Sequence, residues 1–353
     1  MRKFTELLRL AGFWLSRRVN YPFVGPQTVQ FSLTSRCNLR CKMCNIAGRQ
    51  PEEEELSTSC IKRLMDQAAQ WGVREVLFTG GEPFLRNDIY ELCSYASEKG
   101  LRSVITTNGT LLDEAACRRL ADCGAGHLHF SLDGLENTHD SLRGKGVFSA
   151  VVKAFGLLQS ERRRGASFSL GAAFTVMDVN AGELCGFMRL CAESGVDVVN
   201  FQPFTPDNAD FSGEDPMAGL WPSIEKIALL REQIALLGEM SINKPAILQE
   251  PSLELLPEYY AGTLKPEDWV CFGGFKTAFI CYSKGKPLLY TCHGICGDLD
   301  TVPLREAWVS SEAYRLRLHS RSCKKPCLQS CYSLSAASSM PAMWRKCLKG
   351  KAV

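Results

Sequence analysis

The chain has 353 residues, 45% of them hydrophobic and 22% charged, a globular composition long enough for one large domain, an appendage and a sizeable core. A formal net charge of +3 is too small to argue for nucleic acid, and no apolar run approaches the roughly 18 to 20 residues of a membrane-spanning helix. Seventeen cysteines stand out; with no secretory apolar region ahead of the fold, they point to a reducing, cytoplasmic setting and metal binding rather than a disulfide framework.

In chain order, Phe4, Leu7, Leu8, Phe13, Trp14, Leu15 and Val19 lie among Arg2, Lys3, Arg9, Arg17 and Arg18. This predicts a short basic amphipathic helix within residues 1–25. It either packs over the end of the main domain or contacts a membrane surface, since both demand the same apolar stripe. Pro22 and Pro26 separate it from the first strand. Strand-type patterning over 28–34, 74–79, 102–106, 127–132, 168–175 and 197–202 then alternates with helix-type patterning over 57–70, 87–99, 113–122, 147–160 and 181–194. Gly72, Gly100, Gly124 and Gly195 fall where helix ends take a left-handed residue. Six β/α repeats imply a parallel sheet with helices outside it. The run Glu52 to Glu55 reads as a solvated loop. The core, 26–205, is followed by linking loops and a helix near 223–239 within 206–262, a cysteine-rich segment over 263–335 and a tail over 336–353.

The sharpest feature is Cys37-Asn38-Leu39-Arg40-Cys41-Lys42-Met43-Cys44, directly after the first strand. CxxxCxxC spacing brings three thiolates to one point without a fourth, so a metal centre there keeps an open position. A structural zinc knuckle is the plainer alternative, yet zinc sites use four ligands and no further cysteine or histidine follows until Cys60. Thr79-Gly80-Gly81-Glu82-Pro83 follows the second strand, Thr106-Thr107-Asn108-Gly109 the third, and Ser131-Leu132-Asp133-Gly134 ends the fourth. Parallel α/β folds build active sites at this edge. In this order the motifs resemble the radical SAM enzyme superfamily.

That resemblance implies an α/β fold with an open (βα)6 partial TIM barrel. It also implies a [4Fe-4S] cluster on Cys37, Cys41 and Cys44 whose fourth iron binds S-adenosylmethionine through its amino and carboxylate groups. One electron, from a donor such as flavodoxin or ferredoxin, cleaves the sulfonium, and the 5′-deoxyadenosyl radical takes a hydrogen atom from substrate. By the same resemblance Gly80, Gly81 and Glu82 contact the ammonium, Ser131 and Asp133 the ribose and carboxylate, and Arg143 the carboxylate through its guanidinium. Asn108 is expected to face the same cavity, and Gln202, at the sixth strand end, to touch S-adenosylmethionine or substrate. Many members carry an aromatic residue before the third cysteine, where this chain has Met43, an apolar thioether able to cover the same surface. The plainer alternatives are turn chemistry for Gly80-Gly81 and Asp133-Gly134, and a solvated Arg143. Cys60, Cys93, Cys117, Cys123, Cys185 and Cys191 fall on predicted helices or their ends and read as inert thiols.

Eight cysteines follow residue 270. Cys271, Tyr290-Thr291-Cys292, Gly297-Asp298-Leu299, Leu304 to Trp308 and Cys323 to Cys327 together resemble a SPASM/twitch extension, a small cysteine-rich α+β unit with one or two auxiliary [4Fe-4S] clusters. Cys271, Cys292, Cys323 and Cys327 are the expected ligands of one, with Cys331 the alternative; a second follows if Cys347 also ligates. A hairpin turning near Lys284-Gly285-Lys286 brings Cys271 and Cys292 to the same end. A four-thiolate zinc site fits the same spacing. An auxiliary cluster close to the barrel mouth accepts an electron from a substrate radical or anchors the substrate.

The expected activity is radical modification of a peptide or protein side chain, by oxidation or crosslinking. The runner-up substrate is a small molecule, glycan or lipid. Peptide modifiers often carry a leader-binding domain, whereas only a short helix precedes the first strand here, and a lipid substrate gains from that helix's basic, membrane-compatible face. A non-catalytic iron–sulfur electron carrier has no use for Gly80 to Glu82 or Ser131.

Overall fold

The computed structural model describes residues 2–44, 46, 54–206, 219–240, 245–248, 253–292, 294–329 and 333–335, with residues 2–7 and 333–335 described by backbone alone. Helix α1 (Arg2–Val19) precedes six parallel strands that pair in sequence order: β1 (Thr28–Thr34), β2 (Glu75–Gly80), β3 (Arg102–Thr107), β4 (His127–Ser131), β5 (Ser169–Val176) and β6 (Val198–Pro203). Between them run α2 (Thr58–Gln70), α3 (Ile89–Glu98), α4 (Glu114–Asp122), α5 (Glu136–Arg143), α6 (Val147–Arg163) and α7 (Leu184–Glu193). The sheet does not close, so the expected partial barrel is what forms.

Alternation along the strands explains the layering. Val29, Phe31 and Leu33 of β1 and Phe78 of β2 are buried, as are Ile61, Leu64 and Met65 of α2. Phe130 meets Phe155 of α6 at 4.6 Å between ring centroids, and Phe174 meets Phe187 of α7 at 4.7 Å. The intervening positions, Ser32, Thr79, Thr106 and Ser131, are polar and only partly buried, which leaves the other face of the sheet chemically equipped. Ser57 and Asp113 cap α2 and α4 through their side chains. Gly72, Gly100, Gly124 and Gly195 all take positive φ just past their helices, as the sequence predicts.

Helix α5 was not predicted. Only His139 and Leu142 of its eight residues are buried, too few to leave a periodic apolar signal.

After β6 come α8 (Ile224–Glu239), β7 (Ala246–Ile247), which adds to the edge beyond β6, and α9 (Leu256–Tyr260). β8 (Trp269–Cys271) pairs with the last described strand, β12 (Ser333–Ser335). β9 (Thr277–Ser283), β10 (Lys286–Thr291) and β11 (Gly294–Asp298) join the main sheet outside β1: β9 lies parallel to β1, and β10 antiparallel to β9 and β11. The predicted hairpin turn is present, with Lys284 and Gly285 both at positive φ. α10 (Leu304–Val309) and α11 (Ser311–Ser322) pack against these strands.

The inner face of α1 seats on this extension. Phe13 clusters with Phe272 and Phe275, Trp14 meets Phe272 edge-on at 5.2 Å, and Arg17 Nε donates to Cys271 O (2.8 Å). Among the described residues no helix is long and apolar enough to cross a membrane.

Three histidines on and after β4 make the fold acid-sensitive. Burial lowers the pKa of His127 to about 3 and of His129 and His139 to about 4; His129 Nε2 has no partner. The folded chain keeps all three neutral while the unfolded chain protonates them near pH 6.5. Stability present above pH 6.5 should therefore fall as pH drops towards 4, by up to about 4 kcal/mol per pH unit for the three together. Denaturant titrations at pH 7, 6 and 5 measure this; a constant midpoint would contradict it.

Candidate active site at the strand ends

β1 and β2 pair in register up to Ser32 and Thr79; then Leu33 is skipped and Thr34 pairs with Gly80. The bulge re-aims the chain out of the sheet into the cysteine loop. Gly81 N donates to Thr34 O (2.7 Å) and Glu82 N to Arg36 O (2.9 Å), clasping the two strand exits together. A Cβ on Gly81 would stand 1.9 Å from Arg36 O, and one on Gly80, at φ +132°, 2.3 Å from Thr34 O. Both glycines border the cavity described below, but what requires them is backbone meeting backbone, not only the ligand approach expected from the motif.

Glu82 is buried. Its carboxylate accepts from Thr107 Oγ1 (2.8 Å), Asn108 N (2.8 Å) and Phe84 N (3.1 Å). Burial raises its pKa, against the pull of these donors and of Arg143. It is not among the residues bordering the cavity; it fastens the exit of β3 to that of β2. Below the loop, Arg86 donates to Leu33 O (3.1 Å) and Leu56 O (2.8 Å), grips both oxygens of Asp88 (2.8 and 2.6 Å) and pairs with Glu55 (3.2 Å). Glu55 also holds Arg36 at 2.9 Å. The acidic run is thus not wholly solvated: its last residue staples the base of the cysteine loop.

The half-buried Cys37, Cys41 and Cys44 border one cavity together with Asn108, Ser131 and Arg143. Met43 borders it too and is buried against Leu142, Met177, Phe204 and Leu220, while Lys42 N donates to Leu142 O (2.9 Å). These contacts hold the loop against the end of α5. Arg143 Nε donates to Asp133 Oδ2 (2.6 Å), and its Nη1 lies 3.8 Å from Cys41 Sγ. Although burial disfavours the charge, Asp133 and Cys41 hold the Arg143 pKa above its ordinary value. Asp133 is fully buried and its Oδ1 accepts from Thr175 N (2.7 Å). It stands behind Arg143 rather than at the cavity wall. Asn108 Nδ2 donates to Asn38 Oδ1 (2.8 Å), tying the third strand exit to the loop. Gln202 donates to Thr175 Oγ1 (3.1 Å) and does not border this cavity. Thr79, Thr106 and Leu39 do border it; the sequence analysis gave them no role, though the two threonines sit on polar positions of the strand alternation.

Burial raises the Cys37 thiol, with Glu82 and Cys44 adding to the effect; burial, with Cys44 and Cys37 adding, takes Cys41 to about 11 against the pull of Arg143. The C-terminal cysteines show the same crowding. Cys271 is buried, its sulfur accepts from Gly273 N (3.2 Å), and burial followed by the charges of Cys327, Cys292 and Cys323 takes its pKa to about 12. Cys331 and Cys347 lie outside the described residues. Cys292 is exposed, directly after β10. Because β9 starts level with β1, Thr277 beside Thr28, Gln27 N donates to Lys276 O (2.7 Å) and β10 runs back antiparallel, Cys292 follows β10 at the edge where β1 begins. Gln329, two residues past Cys327, donates to Thr205 Oγ1 (3.1 Å) just beyond the C-terminal end of β6.

Residues 31–191 match the family profile described as the Radical SAM superfamily. That stretch is a radical SAM domain. Among curated relatives, an Fe-coproporphyrin III synthase of Methanosarcina barkeri is 38% identical over 175 residues, 49% of this chain and 43% of that protein. A PqqA peptide cyclase of Xanthomonas campestris is 29% identical over 281 residues, 76% of this chain and 67% of that protein. The matches to the porphyrin and heme synthases span less than half the length of those proteins. Among solved structures, Streptococcus suis SuiB bound to S-adenosylmethionine has a TM-score of 0.63 at 18% identity, covering 83% of this chain and 68% of that one. SuiB bound to its precursor peptide SuiA has a TM-score of 0.62 at 17% identity, covering 89% and 72%. The likeness in fold therefore continues past the barrel into the cysteine-rich extension.

The radical SAM family implies a [4Fe-4S] cluster and S-adenosylmethionine, and the donor set suits the cluster. Among the described residues no three His, Cys, Asp or Glu side chains converge tightly enough to chelate a single metal ion. The loop thiols instead stand around a shared cavity, within electrostatic reach of each other, where irons at separate corners of a cube can each meet one sulfur. Iron would also relieve the mutual repulsion that opposes their ionisation.

Glu82→Gln turns an amide N–H₂ towards groups that are themselves donors. It should cost about 2 kcal/mol of stability and reduce the iron retained by anaerobically reconstituted protein; full retention would exclude the fastening role. Asp133→Asn should weaken S-adenosylmethionine binding in calorimetry about tenfold, the loss of one charge-assisted contact, while leaving iron content unchanged.

Proposed function

We propose that the chain is an enzyme that reductively cleaves S-adenosylmethionine at a cluster held by Cys37, Cys41 and Cys44 and abstracts hydrogen from a peptide substrate. The observation that carries this reading is the convergence of three thiols, the Asp133-backed Arg143, Ser131 and Asn108 on one cavity at the C-terminal edge of the sheet. When bound, the cluster supplies the single electron that breaks the sulfonium bond. Arg143 offers its terminal guanidinium nitrogens to the methionine carboxylate, and Asp133, held by Nε, fixes their direction and keeps the charge in place. Ser131 and Asn108 offer hydrogen bonds to the nucleoside. Leu39, Met43 and Ile46 give the cavity an apolar side that keeps water from a reactive carbon centre.

Support for a peptide substrate lies in coverage. The match to the PqqA peptide cyclase extends over 76% of the chain, and the fold likeness to SuiB, solved with a precursor peptide, over 89%. The porphyrin and heme synthases match more closely but over about half of the chain. Their higher identity favours a second reading, modification of a porphyrin. In either case Cys271, Cys292, Cys323 and Cys327, which lie within electrostatic reach of one another, are proposed to hold one auxiliary [4Fe-4S] cluster, which accepts an electron from a substrate radical or anchors the substrate.

Reconstituted, dithionite-reduced protein should produce 5′-deoxyadenosine from S-adenosylmethionine, and Cys41→Ser should lower the rate by at least about a hundredfold. Absence of 5′-deoxyadenosine from the wild-type protein would end this reading. Cys271→Ser should leave uncoupled 5′-deoxyadenosine formation largely intact while lowering iron content by about one cluster's worth. Stimulation of turnover by a precursor peptide, or by a porphyrin, separates the two substrate classes.

A further inference from the structure

Helix α1 has two faces, and the second is unused by the fold. The inner face carries Phe13, Trp14, Ser16 and Arg17. The outer face carries Leu8, Leu15 and Val19 at spacings of seven and four residues, 56%, 50% and 49% exposed, and the chain beyond it adds Tyr21 at 50% and Phe23 at 56%. Apolar residues three to four turns long on one side of a helix, with aromatic side chains at its end, are ordinarily covered. Arg18 lies exposed at the rim of the stripe.

Beside this face opens a cavity of about 400 Å³ between α1, the end of α2 and the start of α10. Its walls include Arg9, Arg305, Trp71 and Phe23, and no carboxylate among the described residues. Arg9 reaches Pro26 O at 2.5 Å, and its pKa is lowered by burial and then by the charge of Arg74. Cationic groups are thus gathered without a facing anion. Phe23 belongs to both features, so the apolar stripe and the basic cavity form one surface.

We propose that this surface docks on an anionic phospholipid bilayer, the stripe entering the headgroup boundary while Arg9 and Arg305 receive a lipid phosphate in the cavity. Charge complementarity chooses the occupant: an apolar protein partner would match Leu8, Leu15 and Val19 but leave the arginines facing no anion. Interfacial helices combine these parts, an apolar face, basic residues at its rim and aromatic residues at headgroup level. The orientation has a functional corollary. The cavity opens where β1 and β2 begin, and the cysteine loop lies at the other end of those strands, so the docked enzyme turns its mouth to the aqueous phase. It would take substrate from solution, not from the bilayer.

Flotation of the protein with vesicles tests this. Vesicles mixing phosphatidylcholine with phosphatidylglycerol should capture the protein, and phosphatidylcholine alone should capture markedly less. Leu15→Glu with Val19→Glu should weaken capture by more than about tenfold, and Arg305→Gln by about fivefold. Leu236→Glu, at a half-exposed position on α8, should change nothing. These side chains are at the surface, and an unchanged thermal midpoint verifies that each variant is folded. Equal capture by both vesicle types, no capture, or an effect of Leu236→Glu as large as that of the α1 variant would overturn the proposal. So would binding of inorganic phosphate to the cavity by a protein that vesicles do not retain.

Discussion

Everything at the catalytic edge depends on a backbone clasp between the first two strand exits. Gly81 and Glu82 donate to Thr34 and Arg36, and the contact is so close that a single methyl group on Gly81 would enter the Arg36 carbonyl. From this clasp the Glu82 carboxylate reaches sideways to Thr107 and Asn108, and Asn108 reaches back to Asn38 within the cysteine loop. Three strand exits and one loop become a single rim. A buried carboxylate satisfied by three donors is costly to disturb, so the rim is rigid where a reactive intermediate must be held still.

The parts of this arrangement written in local chemistry were legible in the sequence. Strand and helix periods gave the six β/α units, glycines marked four helix ends, and the cysteine spacing identified the loop. Arg143 and Ser131 were singled out from motif position and do border the cavity with the three thiols. What escaped was decided by partners far along the chain. Glu82 and Asp133 look alike in a motif, as acids after a strand that meet a ligand, but both turn inward, Glu82 to Thr107 and the Asn108 amide and Asp133 to Arg143 and the Thr175 amide. Glu55 read as one of four solvated acids because nothing nearby in sequence announces Arg86. Helix α5 carried too little apolar patterning to be seen, although it delivers Arg143.

The cysteine-rich extension illustrates the same limit. Its hairpin turn and the mutual proximity of Cys271, Cys292, Cys323 and Cys327 follow from residues within the segment. Its location does not, because that depends on which edge of the barrel β9 joins. Parallel pairing with β1 sends both the start of β9 and the end of β10 to the edge remote from the loop, where Phe272, Phe275 and the Cys271 carbonyl also form the seat of α1.

The partnership of β1 with β9 also bears on how the polypeptide matures. The strand that launches the cysteine loop leaves the ribosome well before β9 does, and one of its sides stays bare until about 250 further residues have been made. Unpaired strand borders invite wrong neighbours. A fragment ending near residue 262 would preserve that vulnerability permanently, so the barrel and its extension are better regarded as one cooperative body than as a head with a removable tail.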